Sequence, residues 1–286
     1  MATASQTSRQ LSQRTAFTFL ALATVIAILP VLFIIIYTII NGIGAISWQF
    51  LTQFPSQAGK AGGILPAIIG TFYLMLGTLL FALPVGVLAG IYLTEYAKDN
   101  WLTRLINMAI VNLAGVPSIV FGLFGLGVFV LAFHLGLSLL AASLTLACQA
   151  LAMVVTTSRE AILAVPREYR EGSLAVGATK WQTVRHVVLP QALPGIITGA
   201  VLAISRAAGE TAPILVVGAA FILPALPQSP LDQFMALPYH LYTVAAHVPG
   251  MSKTTMWGVA LVLLAVVLFF DVLAAVIRAR TRQRKY

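Results

Sequence analysis

Apolar and polar positions along the chain separate into long continuous apolar runs joined by shorter polar segments. A membrane helix needs about 20 mainly apolar residues. Six stretches meet that length: 17–40, 64–93, 105–133, 138–165, 191–222 and 255–277. The runs are continuous rather than alternating, which argues against membrane strands, and helices satisfy their own backbone in lipid. The second, third and fifth runs exceed the minimum and contain Gly and Pro, so tilts or kinks are expected there. The predicted fold class is an all-α integral membrane protein with six transmembrane helices. The first run follows Arg9 and Arg14 much as a signal-peptide core follows its basic start. It is too long for such a core, which spans about 7–15 residues, and no small-residue cleavage site follows it. It reads as a retained helix behind a short cytoplasmic segment, 1–16.

Composition agrees: 59% of residues are hydrophobic and 9% charged, against about 25% charged in soluble domains. Charge adds orientation. Arg9, Arg14, Lys98, Arg104, Arg167, Arg170, Lys180, Arg185 and the tail residues Arg278, Arg280, Arg282, Arg284 and Lys285 fall on one side of the six runs. Only Lys60 and Lys253 fall on the other. The positive-inside rule makes the first side cytoplasmic, with both termini inside. The net charge of +9 is then largely topology, with the basic tail 278–286 drawn to anionic lipid; it does not indicate nucleic-acid binding. The single cysteine, Cys148, excludes an internal disulfide and any multi-cysteine metal site, and its apolar run suits a small core residue. His134, His186, His240 and His247 fall on different sides or at spacings unsuited to a metal. Asp271 is expected near the cytoplasmic end of the sixth helix, where Arg278 could satisfy it. The outer connection 223–254, rich in Pro yet apolar, is expected to rest on the membrane surface or re-enter. The "GLFGLG" at 122–127 offers small residues for close helix packing.

The cytoplasmic connection "VPREYREGSLAVGATKWQTVRHVVLPQALPG" is the segment where charge, turn chemistry and apolar spacing change together. Pro166 suits a helix start, Glu168 and Glu171 favour its first turns, and Gly177 can supply the turn that ends it. Thr179 with Gln182 has the form of a capping box for a second short helix. Pro190 and Pro194 mark the start of the fifth membrane helix. Glu171, Gly177 and Val187-Val188-Leu189-Pro190 resemble the E-A-A…G…I-x-L-P loop of ABC importer permeases. Gly172 and Ser173 stand where that family has alanines, and Val187 where it has isoleucine. The resemblance implies that the loop 166–190, through Glu171, Gly172, Ser173, Gly177, Leu189 and Pro190, docks into a cleft on a cytoplasmic ATPase. Gly172 weakens its helix by about 1 kcal/mol relative to alanine. The chain carries no G-x-x-x-x-G-K-[ST] loop: Gly59-Lys60 is followed by Ala61. ATP and Mg would therefore be used by the partner ATPase, with no cofactor bound by this chain. No Ser–His, paired-Asp or H-E-x-x-H arrangement supports an intramembrane enzyme.

The fifth run, "AVLAISRAAGETAPILVVGAAFIL", holds two charges, Arg206 and Glu210. Each costs about 2.5–3.5 kcal/mol at a membrane centre, and the run's larger apolar residues return roughly 3–6 kcal/mol in all. The sums nearly cancel, so the charged side should face protein or a watery path. Arg206 and Glu210 are four residues apart and can pair on one face. Pro213 leaves the Gly209 carbonyl without its usual helical donor, and the Thr211 hydroxyl adds a further polar group. Two readings fit: a structural pair stapling helices, or a site on an anion path. Arginine suits the second because it stays charged and presents a planar fork to oxyanions, while Glu210 would weaken its field and prevent trapping. Arg159, beside Thr156, Thr157 and Ser158, is either a second stepping point or a snorkelling arginine.

"AISRAAGETAPIL" is similar to the R-x-x-G-E-T-A-P segment of phosphate ABC transporter permeases of the PstA type. "GGILPAIIGTFYLMLGTLLFALPVGVLAGIYLTEYA", "GVPSIVFGLFGL" and "LPYHLYTVA" resemble that family in the same order. The resemblance implies a type I, MetI-like permease domain over 17–277 and location in the bacterial inner membrane. It implies as partners a paralogous PstC-type permease, a homodimeric PstB-type ATPase and an extracytoplasmic PstS-type phosphate-binding protein. It assigns the phosphate path to Arg206 and Arg159; Glu210 and Thr211 are added from their position. A permease for sulfate or molybdate is the alternative within the class, and a stand-alone anion channel lies outside it.

Overall fold

A computed structural model describes residues 2–283; Arg284 and Lys285 of the basic tail, and the side chains of Arg9, Arg14 and Arg282, lie outside the described residues. Helix α1 (Ala2–Gly42) is followed by a short α2 (Trp48–Thr52) and a two-stranded hairpin, β1 (Pro55–Ser56) with β2 (Ala61–Gly62). Then come α3 (Leu65–Ile91), α4 (Trp101–Ala114), α5 (Ser118–Gly125) and α6 (Leu139–Leu163). Two short helices, α7 (Arg167–Ala175) and α8 (Lys180–Thr183), precede α9 (Leu189–Gly209). The chain ends in α10 (Leu237–Ala246) and α11 (Lys253–Gln283).

Burial separates inner from outer helices. In the most apolar window of each span, 56% of residues are buried in α6, 44% in the span ending in α9 and 33% in that of α3, against 6% in α11 and 0% in α1. Small residues bring the inner three together. A Cβ on Gly86 of α3 would lie 2.5 Å from Val154 Cγ1, and one on Gly195 of α9 would lie 2.6 Å from the Ala161 methyl. Gly90 meets Ser158 and Gly199 meets Thr157 one turn further on, so α3 runs parallel to α6 and α9 antiparallel to it. Helix α1 leans on α11, with Tyr37 edge-on to Trp257 at 5.1 Å.

The run 105–133 bends, as its Gly and Pro residues predict, and sharply: α4 and the α5 segment meet at 106°. The break falls at Gly115-Val116-Pro117, where proline lacks an N–H and disfavours helix at the residue before it. Among the described residues, five helices are long and apolar enough to cross a membrane, or six when this bent pair counts as one span. The run 191–222 is displaced. Its helix begins earlier, as a 30-residue span Lys180–Gly209 in which a π-helical turn, Val184–Val188, joins α8 to α9, and it ends at Gly209. Pro194 accordingly lies inside α9.

The segment 210–236 is largely irregular, yet it is packed into the protein. Phe234, Met235 and Ala236 are fully buried, and the Leu237 N–H donates to Thr71 Oγ1 at 2.9 Å. The carbonyls of Val217, Asp232 and Pro230 accept the N–H groups of Ser138, Leu139 and Leu140, satisfying the orphan donors at the start of α6. This region therefore re-enters the fold. Irregular backbone is tolerated at membrane depth only when protein covers it or it lines a cavity.

Candidate functional site: a charged cluster at the end of α9

Arg206 lies in the last turn of α9, and Glu210 caps its end with extended backbone (φ −73°, ψ 124°). The expected pair is present: Arg206 Nε donates to Glu210 Oε1 at 3.3 Å. The same oxygen accepts from Gln149 Nε2 of α6 at 2.6 Å. Gln149 is the eleventh residue of the 25 in α6, so the cluster lies level with the middle of a spanning helix. Glu210 is mostly enclosed, its side chain 16% exposed, whereas Arg206 is 57% exposed and turns its guanidinium outward.

Arg206 lines two sizeable clefts, and a third adjoins one of them. One of about 360 Å³ reaches Gln149, Thr156, Thr157 and Glu160 of α6 and the bend between α4 and α5. Thr157 and Glu160 also line the adjoining cleft, about 350 Å³, which runs between α6 and α9 past Gln191 and Thr198 to Arg278. These two trace a largely apolar groove, with polar groups at intervals, from the middle of α6 to Arg278 near the end of α11. The other cleft at Arg206, about 490 Å³, is shared by Ser205, Arg206, Glu210 and Asp271.

Asp271 is thus not where the sequence reading put it. The Ser205 hydroxyl donates to the Val267 carbonyl at 3.3 Å, which fixes the register of α11 against α9 and brings Asp271 beside Arg206. The helix continues to Gln283 beyond it. Arg159 is not brought to Arg206. Its Nη1 donates to Asn107 Oδ1 of α4 at 2.8 Å, and its buried Nε has no partner. Thr211 follows the helix end and lines none of the three clefts. Since α9 has already ended, Pro213 does not break a helix at Gly209; it begins a 3-10 turn, Ile214–Val216.

The loop 166–190 forms a helical hairpin. Gly177 (φ +85°) donates to the Leu174 carbonyl and Ala178 to that of Ser173, a Schellman turn closing α7. The Thr179–Gln182 capping box opens α8. Ser173 Oγ lies 2.9 Å from Thr183 Oγ1, bridging the two helices. Gly172 faces open space, and Glu171 is exposed beside the exposed Val176 and Trp181. Leu189 packs against the cluster of Ile91, Ile162, Val184 and Val188, while Pro190 sits at the start of α9. Sequence reading missed Gln149 as a partner of the charged pair and Asp271 as a residue of the cleft that the pair lines. The available signal was the same for both: a polar side chain inside an otherwise apolar run.

Comparison with known proteins agrees with this architecture. Residues 82–283 match the family described as binding-protein-dependent transport system inner membrane component. The chain is 40% identical over 196 residues to the probable ABC transporter permease protein YqgI of Bacillus subtilis, covering 68% of this chain and 66% of that one. It is 33% identical over 287 residues to the phosphate transport system permease protein PstA 1 of Mycobacterium tuberculosis, covering 97% and 91%. Among solved structures, the inward-facing MetNI methionine ABC transporter matches with a TM-score of 0.60 at 22% identity, over 76% of this chain and 96% of that one. The shared fold is that of the MetI-like importer permeases. The chain is a multi-pass membrane subunit that couples to a cytoplasmic ATPase: it belongs to the binding-protein-dependent transport system inner membrane components, the permeases of ABC transporters, in their PstA branch.

Proposed function

We propose that this permease forms half of the pore of an ATP-driven inorganic phosphate importer, with Arg206 as its anion contact. One observation carries the reading: a single Glu210 oxygen is shared by Arg206 and Gln149. When an oxyanion draws Arg206 away, Gln149 still satisfies Glu210, so the carboxylate is not left unpaired. The exchange needs only a rotamer change of a side chain already facing a cleft. Similarity to PstA 1 over nearly the whole chain supports phosphate over sulfate or molybdate. Thr211 is a polar contact beyond the helix end, and Arg159, held by Asn107, serves as a more distant positive charge.

On this reading the six-helix domain 17–277 pairs with a PstC-type permease, and a PstS-type binding protein delivers phosphate from outside. A PstB-type ATPase dimer, carrying ATP and Mg, engages the loop 166–190. Glu171 contacts the ATPase, Gly172 and Ser173 keep α7 narrow, Gly177 sets the turn, and Leu189 and Pro190 seat the hairpin on α9. Both termini face the cytoplasm. The test is uptake of labelled phosphate by cells carrying the complete transporter, wild type against Arg206→Gln, with assembly measured in parallel. Loss of uptake by an assembled complex is expected. Undiminished uptake, or failure to assemble, would make the pair structural. Uptake of labelled sulfate or molybdate in place of phosphate would reassign the substrate.

A further inference from the structure

Arg170 and Glu95 play no part in the anion site, yet they make the best-connected polar contact among the described residues. Glu95 lies in the π-helical turn Tyr92–Tyr96 that ends α3. Arg170, on α7, donates to its Oε1 from Nε at 3.1 Å and from Nη2 at 2.9 Å. Nη2 also reaches the Ile162 carbonyl at 2.8 Å, and Nη1 reaches that of Val165. Those carbonyls belong to the last turn of α6 and to Val165, two residues past its end. One guanidinium therefore binds α7 to the ends of both α3 and α6. The pair is largely enclosed, with side chains 19% and 11% exposed, and a planar five-donor fork is what four such bonds require.

The second arm of the hairpin is held to the same turn. Lys180 Nζ, at the start of α8, stands 5.1 Å from the centre of the Tyr96 ring, within cation–π range. The Ser173–Thr183 contact ties the arms to each other, and α8 continues through a π-helical turn into α9. Helices α3, α6 and α9 are thus all fixed to the hairpin, and the last two carry Gln149, Arg206 and Glu210.

We propose that the Arg170–Glu95 pair is the joint through which movement of the 166–190 hairpin reaches the pore, with Arg170 a positioning residue that makes α3, α6 and α9 follow the ATPase as one body. A lysine could hold the charge of Glu95 but not all four contacts. The inference rests on the hairpin being the ATPase-docking loop, which Glu171→Lys tests separately: an ATPase that stays on that variant removes the docking reading itself.

The joint is tested in the complete transporter, purified with its own binding protein and placed in lipid vesicles. Glu95→Gln keeps the shape and one acceptor while removing the charge; Arg170→Lys keeps the charge and removes the fork. For each, three quantities are measured: ATPase retained on the complex, stimulation of ATP hydrolysis by the loaded binding protein, and labelled phosphate moved per ATP. Both variants should retain the ATPase, and both the stimulation and the transport ratio should fall about tenfold, within the usual range of coupling between sites. Stimulation reports communication between pore and ATPase whichever ion is carried, so its loss stands apart from the phosphate assignment. Wild-type stimulation in assembled variants would overturn the joint. Loss of the ATPase, or failure to assemble, would overturn it too, by making the pair a docking or folding contact.

Discussion

Replacing Glu210 by glutamine isolates the competition at the heart of the site. The amide keeps the size of the side chain and an oxygen for Gln149, but removes the charge facing Arg206. At the observed 3.3 Å, the attraction between unit charges is about 5 kcal/mol at an effective dielectric of 20 and about 1 kcal/mol in water. Arg206 is 57% exposed, so the net value falls well below the first figure; hydrogen bonds to charged groups contribute about 1.5–3 kcal/mol. Each 1.4 kcal/mol is a factor of ten in affinity, so Glu210→Gln should tighten phosphate retention on the pore by roughly 10- to 100-fold. Release then becomes slow. The assay is transport turnover at saturating loaded binding protein, with labelled phosphate retained by the washed complex measured beside it. Turnover should fall about tenfold or more while retention rises. Unchanged turnover with unchanged retention would refute the competition, and loss of both would show that Glu210 itself helps to hold the anion.

Asp271→Asn removes the second carboxylate from the Arg206 cleft; retention of labelled phosphate should rise, more at low ionic strength than at high. Gly172 is a helical position of α7 with open space where a Cβ would stand, so Gly172→Ala should stabilise the assembled transporter by up to about 1 kcal/mol, read as a higher melting temperature with the ATPase still bound. His240, in α10 outside the spans, is buried against Phe221, and burial lowers its pKa from 6.5 to about 4. The unfolded chain therefore binds its proton first as pH falls. Stability from this group is full above pH 6.5 and is lost progressively towards pH 4, and His240→Asn should flatten that part of the melting-temperature profile.

What could be read from the sequence was what local rules decide. The Arg206–Glu210 pair follows from a four-residue spacing, the α7 terminus from Gly177, and the start of α8 from Thr179 and Gln182. The errors arose where hydropathy was counted across a break. Pro117 inside the run 105–133 predicts a kink, but not that the chain turns there by 106°. Residues 210–222 are as apolar as a helix, but they run on as irregular backbone and a 3-10 turn with Ile214 and Val217 packed into the core, and hydropathy alone does not distinguish the two. The partners of the charged groups required the fold. Gln149 reaches Glu210 across 61 residues and Arg170 reaches Glu95 across 75, and Asp271 was misjudged because the register of α11 is set by α9.

The end of α9 at mid-membrane has an electrostatic consequence. A helix C-terminus carries a partial negative charge, and Arg206 sits in its last turn with Glu210 immediately after. Both oppose an anion resting there. A site built to store phosphate would use the opposite arrangement, a helix N-terminus and an unpaired arginine. On the proposed reading, Arg206 draws an anion to the cluster and the neighbouring negative charge keeps the well shallow. Passage requires such a balance, since an ion must enter and also leave. That reading would leave tight capture to a separate component, the binding protein that gives this permease family its name, and would reserve for the pore a contact that can be broken on every cycle.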